Sequence, residues 1–236
     1  MKYSGHYKEF ILYVPVLFLL FWGLWEGFFY LDRQSETRAV KSHQSITRLH
    51  PEELALLQEG DFILRRGFGF FSDLIARRLN DSHIEVTHAG ILVRQHDQWY
   101  VIHSLSSDVN PVDGMQIHDL KTFLRYSMPD KIIVTRAKNL PADYSQKIVE
   151  RARYYLDKQV PFDHQGNFED DDKLYCSELI WRILEKDLHL VHLPQEEEAR
   201  NKVFYSMNAL YDEQYFDIII NQFPTTHSAI IQSDTF

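Results

Sequence analysis

The chain of 236 residues contains one cysteine, no basic cluster and none of the short-spaced motifs that mark common metal or hydrolase sites. A single thiol excludes an intrachain disulfide, so cysteine pairing says nothing about compartment. The formal net charge of −9 without a basic patch leaves a nucleic-acid partner no electrostatic footprint. HExxH and CxxC spacings are missing, and one cysteine among twelve scattered histidines is weak ground for zinc. No G-x-S-x-G elbow occurs, which argues against a serine hydrolase. Repeats and low-complexity tracts are absent too, and no metal or organic cofactor is expected.

What is present is enough for a packed domain: 44% hydrophobic residues, 14% of all residues aromatic. The apolar residues concentrate first at the N-terminus. Phe10 to Trp25 carries no charge, and with Gly27 to Leu31 after Glu26 it reaches the ~20 residues that cross a bilayer. Trp22, Trp25, Phe28, Phe29 and Tyr30 suit a headgroup belt, and Pro15 is a possible kink. Lys2 and Lys8 would also fit a secretory signal, but no small-x-small cleavage site follows, so an uncleaved anchor is expected. Arg33, Arg38 and Lys41 offset the two lysines and leave orientation open.

Four segments follow from this reading: a membrane anchor (1–31), a polar linker or short surface helix (32–50), a folded α+β domain (51–215) and a C-terminal tail (216–236). Within the domain, Phe62–Leu64, Ile84–Arg94, Gln98–Ser106 and Lys131–Ala137 have strand patterns. Phe68–Asn80, Asp143–Val160 and the stretch headed by Cys176 have helical ones.

In "KLYCSELIW" the apolar positions Cys176, Leu179, Ile180, Ile183 and Leu184 follow helical spacing. Cys176 is then either the first residue of a packed stripe or a nucleophile, because free N–H groups in a first helical turn favour thiolate. A nucleophile needs a base, and His88 in "EVTHAGILV" and His103 in "YVIHSL" both lie inside apolar strands. A hairpin turning at Gln95 and His96 would pair Leu92 with Trp99, Gly90 with Val101 and His88 with His103, placing the imidazoles ~5 Å apart at Cβ. A three-residue loop would put His88 opposite Ser104 instead. Tyr175 is a candidate oxyanion donor or a packing residue. Asp61 either orients a loop over the site or simply closes a turn. Glu178 complements the helix dipole.

The order "GDFILRRG", "THAGILV", "YCSELIW" resembles the YiiX/YebB-like cysteine hydrolases, a bacterial branch of the NlpC/P60 superfamily, over about Leu54 to Val203. The resemblance implies a circularly permuted papain-like domain with a central antiparallel sheet and flanking helices, here behind a transmembrane helix. It places the nucleophile on Cys176 and the base on His88. Relatives often carry glutamate where this chain has His103, while lecithin:retinol acyltransferase-like relatives have a second histidine. The implied activity is hydrolysis of peptide, cell-wall-type or other amide bonds; the expected place is a bacterial inner membrane with the domain on the periplasmic side, an orientation that the flanking charges leave open. Acyl transfer on lipids and a non-catalytic envelope role are the alternatives.

Overall fold

A computed structural model describes residues 6–80, 83–139, 141, 143–170 and 172–224, with side chains from Tyr13 onward. Six antiparallel strands form one sheet in the order β4-β3-β2-β1-β5-β6: β1 (Phe62–Gly67), β2 (His88–Gln95), β3 (Gln98–Leu105), β4 (Gly114–Asp119), β5 (Ser127–Ala137) and β6 (Phe216–Asn221). The central strands are near-continuous apolar runs because both faces are covered. On one face Phe62, Leu64, Ile91 and Ile102 pack against α5 (Tyr144–Asp157) and α6 (Cys176–Trp181). On the other, Ile63, Leu92, Val101 and Ile132 pack against Leu49, Leu57 and α4 (Leu120–Arg125). Before β1 lies α2 (Pro51–Leu54), between β1 and β2 lies α3 (Phe70–Leu79), and α7 (Glu197–Phe204) precedes β6.

Three expectations are corrected. The stretch read as a linker or a short surface helix continues the apolar helix instead: α1 runs from His6 to Ser42 through Pro15, and Asp32, Arg48 and Leu49 are buried. Its polar composition hid this continuity because inward positions of the helix are themselves polar: Asp32, for example, accepts the Phe71 N–H at 3.1 Å. The supposed tail contributes β6, whose Phe216 and Ile220 are core residues, so the domain extends past 215. The remainder of that tail, 225–236, lies outside the described residues. Finally, the β2–β3 hairpin turns at His96 and Asp97, with φ of 48° and 63°. Positive φ at both central residues is the two-residue turn that matches strand twist. It pairs Leu92 with Val101 and Arg94 with Trp99, two residues from the expected register. The parity of the pairing is unchanged, so each side chain keeps its expected face.

Candidate active site

Register decides where the histidines stand. With Ile91 opposite Ile102, His88 and His103 are diagonal rather than direct neighbours, still on one face. Their rings meet: His88 Nε2 lies 2.7 Å from His103 Nδ1. Glycine at position 90 allows this approach, since a Cβ there would fall 2.4 Å from Val101 Cγ1 and 3.2 Å from His103 Cβ. A third imidazole extends the chain, with His103 Nε2 2.8 Å from Nδ1 of His118 on β4. Phe123 of α4 covers both inner rings, at 5.8 Å from His88 and 5.5 Å from His103 between centroids.

Cys176 begins α6 at the end of the sheet where β2 starts. It lines, with His88, Arg65, Thr87 and Ser106, a cavity of about 120 Å³. Glu178 builds the entry to α6 by accepting the Tyr175 N–H on Oε2 at 3.2 Å, which satisfies the backbone donor just before the helix. It is also fully buried beside Arg182, 3.4 Å away. Desolvation, with Asp163 and Asp170 adding to it, outweighs the Tyr175 N–H and Lys186 and pushes the Glu178 carboxyl up to about 8. A folded value raised above the ordinary ~4.3 means that the unfolded chain releases this proton first. The stability is present at low pH and is lost as pH rises through the folded value. Thermal melts from about pH 5 to about pH 9 should therefore show wild type losing ground to Glu178→Gln. A wild type that gains on the variant instead would mean a charged Glu178–Arg182 pair.

The electrostatics of the site favour neutral groups. Burial pushes the Cys176 thiol up, against the N–H groups of Ala89, Ser177 and Cys176 itself and the nearby Arg65 charge. This corrects the expectation from the helix N-terminus, because a six-residue helix contributes less than the burial takes away. His88 is held well below the ordinary range by burial, then by His103, Arg65 and His118. His103 is lowered likewise by burial, His118 and Arg65. His118 is half-buried and lowered by burial, with Asp119 opposing. The resting pair is thus thiol and neutral imidazole.

Arg65 sits opposite His88 in the β1–β2 register and stacks over Phe123 at 4.7 Å. Burial lowers its guanidinium to about 10, still charged at neutral pH, and it also donates to the Tyr126 carbonyl. It lies within "GDFILRRG", where two adjacent arginines in a strand of apolar neighbours were the available signal. His118 was missed altogether because β4 was not recognised in "GMQIHD", whose alternation is weak.

Two candidates fall away from the site. The Tyr175 hydroxyl donates to the Phe204 carbonyl at 3.2 Å, and burial pushes the phenol up. Asp61 is 1% exposed and accepts from Arg136 Nε at 2.7 Å and from the Gln58 N–H at 2.8 Å. It locks the start of β1 to β5, and neither residue lines the Cys176 cavity. A chain spacing that brings Tyr175 next to the thiol cannot reveal that its ring leaves on the opposite side.

The chain can be compared with known proteins on this geometry. The family model of peptidase C92, described as permuted papain-like amidase enzymes of the YaeF/YiiX type, matches residues 57–231. The YiiX protein of Escherichia coli strain K12 is 30% identical over 108 residues, 45% of this chain and 48% of that relative, so the alignment spans about half of the relative's length. A crystal structure described as metalloprotein YiiX from Escherichia coli O157:H7 has a TM-score of 0.55 and 22% identity, covering 71% of this chain and 98% of the other. The metal in that description has no counterpart in the donors seen here. The facing nitrogens of His88, His103 and His118 are engaged with one another, and among the described residues no group of three or more His, Cys, Asp or Glu converges as a metal site. These residues do not fit a metal ion, and no step below passes through one. The match over most of the chain, the permuted order of histidine strands before cysteine helix, and the shared fold lead to one conclusion: the chain belongs to the peptidase C92 family of permuted papain-like amidase enzymes.

Proposed function

We propose that this chain is a thiol amidase, held at a membrane by α1, that cleaves amide bonds through a Cys176 acyl-enzyme. The observation that carries this reading is the cavity shared by Cys176 and His88, with His88 tied through Nε2 to His103. A His88 that accepts the thiol proton on Nδ1 must carry its own proton on Nε2 and donate to His103 Nδ1. His103 then donates from Nε2 to His118 Nδ1, and all three rings are oriented in one direction. His103 fixes the tautomer of His88, the part a carboxylate plays elsewhere.

In the reaction, the thiol gives its proton to His88 and the thiolate adds to the amide carbonyl. The backbone N–H of Cys176 steadies the oxyanion, and Arg65 adds positive charge to the same cavity. His88 passes the proton to the leaving nitrogen as the C–N bond breaks, leaving a thioester. His88 next takes a proton from water, whose oxygen displaces the sulfur and releases the acid; the proton returns to the thiol. Among the described residues no carboxylate hydrogen-bonds His88, whose ring partner is His103, so the transient positive charge is spread along the chain toward His118, beside Asp119 and open to a second cavity.

The test is alkylation of Cys176 by iodoacetamide against pH, which is unambiguous with one thiol. The main inflection should lie above the ~8.5 of a free thiol, with slower labelling at neutral pH that requires His88. Labelling indifferent to His88→Ala would make Cys176 a packing residue and end the proposal. Acyl transfer onto a lipid acceptor is the second reading, favoured by His103 in place of a carboxylate; analysis of products with water and alcohol acceptors separates the two.

A further inference from the structure

One wall of the Cys176 cavity comes from a segment outside the family match, which begins at residue 57. The apolar run of α1 ends at Leu31, and the next residue, Asp32, lines the cavity together with Glu36 one turn on. Phe29 is buried against Phe71 of α3, their rings 5.6 Å apart, and Asp32 Oδ1 accepts the Phe71 N–H at 3.1 Å. Gly69 permits this contact, since a Cβ on it would lie 2.6 Å from that same oxygen. Three residues of helix rise only ~4.5 Å, so the first turn of α3 is level with the end of the apolar run.

At that height α3 exposes an apolar pair one turn apart, Phe70 at 51% and Leu74 at 47%. Phe28 and Leu31, beside them in height on α1, are exposed as well. Exposed Arg77 and Arg78 end α3, and exposed Arg38 and Lys41 follow on α1. Aromatic and aliphatic residues at the boundary with basic residues just beyond match the chemistry of a lipid surface with anionic headgroups. The face is also continuous with the helix that is long and apolar enough to cross a membrane.

We propose that Phe70 and Leu74 are seated in the membrane that α1 enters. Cys176 then works at the lipid surface on amide-bearing amphiphiles drawn from that layer. The chemistry of this step rests on the amidase reading above; the seating does not.

The test uses the full chain with Cys176→Ala in vesicles of phosphatidylethanolamine and phosphatidylglycerol. A nitroxide is placed at Leu74→Cys, or at Lys202→Cys on α7, a side chain 76% exposed. The label at 74 should be relaxed more by oxygen than by an aqueous nickel chelate, and the label at 202 the reverse. Equal access of the chelate to both positions overturns the seating. Protection of position 74 from both reagents overturns it too, because a protein surface would then cover the face. Wild type and Phe70→Ser/Leu74→Ser are next compared on a long-chain N-acyl amide in vesicles and its N-acetyl analogue in solution. The long-to-short turnover ratio should fall about tenfold in the variant; an unchanged ratio overturns the substrate class. If wild type cleaves neither amide while position 74 lies in the bilayer, the amidase reading and the substrate class fail and the seating stands.

Discussion

Replacing Cys176 with alanine should lower amide turnover by roughly 10⁴-fold or more and leave the fold intact. The two halves of that expectation have different origins. Loss of activity follows because the hydroxyls that also line the cavity are engaged elsewhere: Ser104 donates to the Leu174 carbonyl at 2.6 Å, Ser106 donates to Asp108 Oδ2 at 3.1 Å, and Ser72 and Thr87 bond one another at 2.8 Å. Preservation of the fold follows because the side chain is small and only partly buried. The residues that hold α6 in place are instead Leu179, Ile180 and Trp181, all fully buried. A melting temperature close to wild type, with turnover absent, is the expected pair of results. An active alanine variant would remove the nucleophile from the mechanism, whatever the stability.

His103→Ala should reduce kcat roughly 10²- to 10⁴-fold, because it frees His88 to rotate and to adopt the wrong tautomer. His118→Ala should cost less, about tenfold, since water entering the adjoining cavity can take up the Nε2 hydrogen bond of His103. The smaller effect carries a distinguishing mark. His118 is one of the groups that hold His88 and His103 low, so its removal raises their proton affinity. The acid limb of kcat/KM should then move to higher pH. Arg65 also faces these rings and would still depress them, so the displacement is partial. A loss in His118→Ala that is the same at every pH would make His118 a packing residue and confine the working chain to two histidines.

The sequence pattern carried the local parts of this site well. Helical spacing placed Cys176 at a helix start, where α6 begins, and strand alternation put His88 and His103 on one face. Their contact survived an error in the hairpin register because the error was two residues, and strand facing repeats every two. Information carried by neighbours in space was less legible. Nothing in "GMQIHD" announces that His118 continues the imidazole chain, since the β3–β4 register that brings it there depends on the whole sheet. The same holds for Asp32: in sequence it opens a polar stretch, whereas in space its carboxylate meets the start of α3. Tyr175 and Asp61 show the converse error, where adjacency in sequence suggested a role and side-chain direction denied it. β6 was missed because a strand of six residues far from its partner has no local signature beyond alternation.

The continuity of α1 has a consequence for how substrate is found. A flexible tether of nineteen residues, which segment 32–50 would have been, lets a domain sweep a volume tens of ångströms wide. A helix that passes from the apolar run into the cavity wall permits no such sweep. With α1 in a bilayer, the active site is carried at fixed height and can meet partners only by lateral diffusion of the whole molecule. Encounter becomes a search over an area rather than through a volume. Molecules confined to that same layer are met at high effective concentration, and those dissolved in the bulk gain nothing from the anchor.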